Sequence, residues 1–349
     1  MRTGKSRWLA LLALTLVLAI VTAACSDAGD GDGGGETAGE TAGGQTGEET
    51  GATGALPGEG ITISIAVNPW TGSAVNANVA AILLEQELGY TVDLVEIDEF
   101  AQFPALSAGE LDATLEVWPS GHAEDYATYI EGDGSVVDGG ELGVVGKIGW
   151  YVPTYVVDEY PEVATVEGLN ANASLFATTE TGDKGQMLDG DPSFVSFDAE
   201  IVENLGLDFE VVVAGSEAAL LAELDQALQN EEPLLFYWYT PHWGNTVYDL
   251  TEVALPEVTQ ECTDAAAAGG DGYACDYPED VLYKAFSADL QTKAPEAFAF
   301  LSAMSYDNLT QETIAKGIDV DGQDPAEAAQ AWVDANSAVW QPWVDAALG

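Results

Sequence analysis

The residues with the clearest chemical potential lie in Pro233–Trp243, eleven residues that hold five aromatic rings and a histidine. Its first half, Leu234–Trp238, is continuously apolar and predicts a buried strand, which Thr240-Pro241 ends. Ligands of α/β proteins bind beyond the carboxyl ends of parallel strands. Aromatic faces at such a position favour a quaternary ammonium cation. Packing in the core is the alternative explanation for each ring.

Three further aromatic residues stand where predicted strands give way to turns. Trp118 comes directly after the strand Ala113–Val117, Trp70 lies in the turn after the strand Ile61–Val67, and Phe194 lies in a loop further along. A trimethylammonium group cannot donate a conventional hydrogen bond, so a protein holds it with ring faces. Each face contributes roughly 0.5 to 2 kcal/mol, and three or four must therefore converge.

The chain offers little for catalysis. It has two histidines, His122 and His242, and its Ser, His and acidic residues form no recognisable nucleophile motif. No Cys or His group has zinc spacing, and no glycine-rich loop matches a phosphate-binding pattern. Paired acids carry almost no information in a chain this acidic. The residues therefore predict a binding protein that is not an enzyme and uses no cofactor and no metal.

The apolar pattern alternates strands and helices from residue 61 onward, which is typical of α/β proteins. A glycine-rich loop is predicted around residues 131–146, followed by a hinge-crossing strand at 149–156 and a further strand at 175–178. We predict two α/β lobes joined by two crossings, with a ligand cleft between them. The first lobe takes residues 61–150, the second 151–280, and residues 281–349 return to the first lobe and end in helices.

The N-terminal sequence predicts export. Residues 1–24 combine early basic residues with an uncharged apolar run, which is a signal-peptide pattern. The run ends in Val-Thr-Ala-Ala before Cys25, which resembles a bacterial lipobox, so we expect Cys25 to carry a lipid. Residues 25–60 are rich in Gly, Glu, Asp, Thr and Ala and predict a disordered tether. We therefore expect an extracytoplasmic protein that touches the membrane only through its lipid anchor.

Two cysteines remain, Cys262 and Cys275, and both lie in one short segment. In an exported protein this spacing predicts a disulfide.

The net charge of −52 excludes nucleic acid and anionic lipid as partners. Five lysines and no arginine remain after the signal peptide. Self-repulsion of this size destabilises the compact state at low salt and is screened at high salt. The composition therefore predicts a chain adapted to salt.

Several motifs together resemble one family. Gly109–Ala113 followed by Trp118–His122, and much later Tyr237–Trp243, are similar to the glycine betaine/proline betaine substrate-binding proteins of ABC importers, as is Leu88–Val92. The resemblance covers roughly residues 61–343. It implies the type II periplasmic-binding-protein fold, capture of compatible solutes by what we expect to be a monomer, and delivery to a separate permease with its ATPase.

The resemblance also implies site residues. Trp118 and Tyr239 match cage aromatics of the first and second lobes, and Phe194 falls where the family often has a tryptophan, with Phe197 as the alternative at that place. Trp70 is a fourth cage candidate. For the carboxylate of a betaine, the resemblance implies His242 and the turn that contains Gly72 and Ser73.

Two other functions stay open. A protein of the same fold could bind choline or carnitine, and choline needs no carboxylate donors. From a different class, an aromatic-lined surface protein could bind sugars.

Overall fold

The computed structural model describes residues 55–349. The predicted signal peptide, the predicted lipidation at Cys25 and most of the predicted tether lie outside the described residues. Residues 57–60, which the sequence assigns to the tether, form a turn instead. In this turn the N–H of Gly58 donates to the carbonyl of Leu88 at 2.8 Å. The folded part therefore begins a few residues earlier than predicted.

Within residues 55–349, nine strands form one mixed sheet in the order β2-β1-β3-β9-β4-β7-β5-β6, and β8 pairs with β4. Their bounds are β1 Thr62–Val67, β2 Thr91–Glu96, β3 Ala113–Val117, β4 Val136–Pro153, β5 Gly185–Asp189, β6 Phe209–Val213, β7 Leu235–Thr240, β8 Leu250–Glu252 and β9 Glu279–Ser287.

Helices cover the sheet and form the C-terminal end of the chain. The α-helices are α1 Thr71–Gln86, α2 Gln102–Ala108, α3 Ala123–Asp125, α4 Thr154–Glu159, α5 Val166–Ala171, α6 Asp198–Asn204, α7 Glu217–Asn230, α8 Gln260–Ala267, α9 Leu290–Lys293, α10 Pro295–Ala303, α11 Asn308–Asp319, α12 Pro325–Ala335 and α13 Ser337–Leu348. A π-helical segment spans Tyr126–Gly132, and short 3-10 helices span Glu99–Ala101, Pro161–Ala164, Ala173–Phe176 and Trp243–Thr246.

The sheet has two parallel groups joined by antiparallel strands. β1 runs parallel to β2 and β3, and β5 runs parallel to β6 and β7. Between the groups, β9 pairs antiparallel with β3 and β4, and β4 pairs antiparallel with β7. The α/β class predicted from the sequence is confirmed, and two long strands make the crossings. The exact lobe boundaries, 61–150, 151–280 and 281–349, stay a prediction.

Two predicted elements are wrong. The segment 131–146, predicted as a glycine-rich loop, is largely the first half of β4. Its backbone pairs with β9, and this long-range pairing is not visible in the local composition. The strand predicted at 175–178 is instead the end of a 3-10 helix, and the strand of this region is β5, ten residues later. Helix α1 begins at Thr71, with Trp70 at the N-cap, so Ser73 lies inside the helix and does not cap it.

Cys262 of α8 forms the predicted disulfide with Cys275. The C-terminal tryptophans pack in the core: Trp343 contacts the rings of Trp332 and Phe300, and Trp340 is buried.

Candidate functional site

A small cavity of about 20 Å³ lies where elements from both parallel groups meet. Most of its wall is aromatic, with one carboxylate and two aliphatic side chains. The lining residues are Trp70, Glu99, Trp118, Ile148, Phe194, Val195, Tyr237 and Tyr239.

The five rings of the cavity form a continuous aromatic wall. Trp118 meets Tyr239 edge to face with centroids 5.9 Å apart, and Trp70 meets Phe194 in the same way at 5.8 Å. Tyr237 joins the two pairs, because its centroid lies 5.6 Å from that of Phe194 and 6.2 Å from that of Tyr239. Such a wall presents both the faces and the edges of aromatic rings, and the faces attract cations.

The five rings come from the end of a strand, the start of a helix, one face of a strand and a loop. Trp118 follows the last residue of β3, and Trp70 is the residue before α1. Tyr237 and Tyr239 stand on one face of β7 because side chains alternate along a strand. Phe194 lies in the loop between β5 and α6. All four predicted cage residues thus line one cavity; that they bind a ligand stays a proposal.

The sequence missed Tyr237 and Glu99. The period-two pattern of β7 carried a signal for Tyr237, since Tyr239 was already a candidate on the same face. For Glu99 there was no usable signal, because one acid among sixty is not distinctive.

Glu99 links the cavity to both parallel groups of the sheet. One carboxylate oxygen, Oε2, accepts the backbone N–H of Val195 at 2.8 Å. The other, Oε1, lies 3.1 Å from Nε2 of His122, whose Nδ1 lies 2.8 Å from Asp125. Burial alone would lower the pKa of His122, but its hydrogen bonds to Asp125 and Glu99 raise that pKa to about 9. His122 is therefore charged at neutral pH and holds Glu99 in place.

This pairing predicts a pH-dependent stability. The folded-state pKa of His122 lies above its ordinary value of 6.5, so its stabilisation is complete below pH 6.5 and is lost as the pH rises through 9. We expect the advantage in unfolding free energy over His122→Gln to shrink by on the order of 3 kcal/mol across this window. Denaturant titrations of both proteins at pH 6 and pH 9.5 measure it. A difference that stays constant with pH would contradict the assignment.

Glu217, at the start of α7, is a second carboxylate that connects the two parallel groups of the sheet. Its Oε1 accepts the hydroxyl of Tyr239, and its Oε2 accepts the backbone N–H of Thr71 at 2.9 Å. His242 Nε2 lies 3.6 Å from Oε1, beyond hydrogen-bond distance. Burial alone would raise the pKa of Glu217, but His242, Tyr239 and Thr71 bring it below its ordinary value. Tyr239 is thereby fixed against the first turn of α1.

The residues that the resemblance assigned to a carboxylate have the following contacts, and the assignment of His242, Gly72 and Ser73 to a carboxylate stays a prediction. Ser73 Oγ accepts the N–H of Asn68 at 2.9 Å, and Gly72 packs against Gln311. The ring of His242 packs on Trp238 with centroids 4.1 Å apart.

Two glycines lie directly against rings of the cavity wall, on the side away from the cavity. A Cβ at Gly146 of β4 would overlap the indole of Trp118. A Cβ at Gly190 would stand 2.6 Å from the ring of Phe194. The positions of these two rings therefore depend on the absence of a side chain in the layer behind them.

Among residues 55–349, no group of three or more His, Cys, Asp or Glu side chains is arranged to hold a metal ion. Within the same range, no helix combines the length and the apolar character that crossing a bilayer requires.

The fold and the aromatic cavity define a two-lobe substrate-binding protein. The chain matches the family described as "Substrate binding domain of ABC-type glycine betaine transport system" over residues 61–335. It belongs to that family, and the resemblance seen in the sequence is confirmed.

Named relatives bind small methylated amines. The chain is 29% identical over 289 residues to the trimethylamine N-oxide-binding protein of Pelagibacter ubique, covering 80% of this chain and 90% of the relative. It is 22% identical to the glycine betaine/proline betaine-binding periplasmic protein of Salmonella typhimurium, covering 84% and 92%. The structure of an ABC-transporter choline-binding protein with choline has a TM-score of 0.65 at 21% identity, covering 81% of this chain and 91% of that one, and supports the fold.

Proposed function

We propose that this chain captures glycine betaine, or a closely related trimethylammonium solute, for an ABC importer. The observation that carries the proposal is the wall of five rings around one cavity, with Trp118 and Tyr239 contributed by different parallel groups. Three or more ring faces at roughly 0.5 to 2 kcal/mol each suffice for a useful affinity. The names of the relatives support a methylated amine as the ligand.

The proposal includes the surroundings of the protein. The chain acts outside the cytoplasm, anchored by a lipid on Cys25, as a monomer, and passes its ligand to a permease with its ATPase for osmoprotective uptake. It catalyses no reaction. The signal-peptide pattern of residues 1–24 and the family membership support this arrangement.

Titration calorimetry tests the proposed ligand class. The purified chain is titrated with glycine betaine, choline, carnitine, trimethylamine N-oxide and a panel of sugars. We expect saturable heat from at least one trimethylammonium compound and none from the sugars. Silence with every amine would overturn the proposal, and a response to sugars alone would favour the aromatic-lined sugar binder.

One observation favours choline as a second candidate. Glu99 places a carboxylate in the cavity wall, which attracts a ligand of net positive charge and repels the carboxylate of a betaine.

The substitution Glu99→Gln separates the two candidates. It keeps the shape and removes the charge, so we expect choline affinity to fall about tenfold while betaine affinity changes little or improves. Calorimetry with both ligands, with the exposed Glu110→Gln as a control, measures the ratio. Equal losses for choline and betaine would show that Glu99 acts only by holding Val195.

A further inference from the structure

Glu116 is a buried carboxylate directly behind the cavity wall, on β3, and is 1% exposed. It accepts four hydrogen bonds. Oε1 receives the indole Nε1–H of Trp70 at 2.8 Å and that of Trp118 at 3.3 Å. Oε2 receives the side-chain amides of Asn76 at 2.5 Å and Gln311 at 3.2 Å. One carboxylate therefore joins two of the cavity rings to α1 and α11.

All four partners present donors to this side chain. An indole nitrogen can only donate, and the amide oxygen of Asn76 already accepts the hydroxyl of Tyr306. An ionised carboxylate matches four donors, whereas a protonated acid or an amide would turn a hydrogen atom toward one of them. The geometry thus fits the charged form of Glu116.

Burial and the neighbouring acidic residues oppose the ionised form of Glu116. Burial, together with the nearby Glu217 and Glu99, raises the pKa of Glu116 to about 7, against the effect of the two indole hydrogen bonds. Glu99 is paired with His122, and the ring of His242 lies 3.6 Å from Glu217. Tyr239 and Tyr306 lie within reach of the charge of Glu116, which contributes to raising their pKa values. Together these groups leave Glu116 ready to titrate near neutral pH.

We propose that Glu116 is a positioning residue of the trimethylammonium site, fixing both indole rings by their N–H groups, and that cation capture is coupled to its loss of a proton. The proposal rests on the proposed function. Its ionised form places a negative charge on the far side of two rings whose faces meet the ligand, so cation and carboxylate stabilise each other. Reciprocity then requires that the ligand favours ionisation as much as ionisation favours the ligand.

Calorimetry in buffers of different ionisation enthalpy counts the protons released on binding. The unchanged chain is titrated with glycine betaine, and with choline if betaine is silent, at pH 6, 7 and 8. We expect a fractional proton to be released, most strongly between pH 6 and 7, and the affinity to rise several-fold from pH 6 to pH 8. Glu116→Gln should bind about tenfold more weakly and lose this proton release. Glu110→Gln, an exposed matched change, should keep both.

A second variant separates Glu116 from the other acids. Trp118→Phe keeps a ring and removes one donor to Glu116, so the pH of maximal proton release should move upward. Folding of each variant is checked by circular dichroism. A chain that binds no amine would overturn the proposed function itself. Binding without proton release at any pH, unchanged affinity in Glu116→Gln, or no shift in Trp118→Phe would overturn the role of Glu116 while leaving that function standing.

Discussion

Trp118→Ala and Tyr239→Ala should each weaken binding of the trimethylammonium ligand by about tenfold to thirtyfold. Each substitution removes one ring face, worth up to roughly 2 kcal/mol, and also opens the cavity to water. The two rings pack edge to face, so the loss of one also frees the other to move. Titration calorimetry with glycine betaine and choline measures the effect.

The control for these variants is Tyr160→Ala, which removes a half-buried ring that follows α4 and is not part of the cavity wall. It should bind as the unchanged chain does. If both cavity variants bind normally and are folded, the rings belong to the core alone and the site lies elsewhere.

The second large effect is on stability in salt. At a net charge of −52, mutual repulsion of surface acids opposes the compact state, and salt screens it. We expect the melting temperature to rise by roughly 5 °C or more between 50 mM and 2 M NaCl, the shift that about 2 kcal/mol produces in a chain of this size. Calorimetric melting curves measure it.

A variant with fewer charges tests the cause. Replacing four exposed glutamates by glutamine should raise the melting temperature at 50 mM salt and leave it nearly unchanged at 2 M; the four are Glu110, Glu124, Glu257 and Glu279. A rise with salt that is the same in this variant would point to general salting-out and not to screening of these charges.

The parts of the fold that were predictable are those with strong local patterns. Ala113–Val117 was predicted with its exact bounds, because five buried residues stand between turn signals. The strand β4 was missed over much of its length. Its glycines favour turns locally, yet β9 and β7 pair with it on both sides. Tertiary hydrogen bonding therefore overrode local preference.

The residues of the candidate site also differ in how far the sequence predicts them. Four aromatic residues of the cavity could be named because they stand near the ends of predicted strands or match motifs of the family; they are Trp70, Trp118, Phe194 and Tyr239. Glu99 and Glu116 could not be named in a chain with sixty acids. What distinguishes them is burial and the donors around them, and those arise only from the packing of β3, α1 and the loop before α6.

The glycines behind the rings set where selectivity can be adjusted. Gly146 and Gly190 are not among the residues that line the cavity, yet a side chain at either position would overlap the ring of Trp118 or Phe194. Substitutions at these two glycines can therefore change the size and shape of the cavity, with every residue of the cavity wall left as it is. A library of variants that changes only residues of the cavity wall would not include these substitutions, which alter the cavity independently. Gly146 also belongs to a strand shared by both groups of the sheet, so a change there reaches the crossing and the cage together.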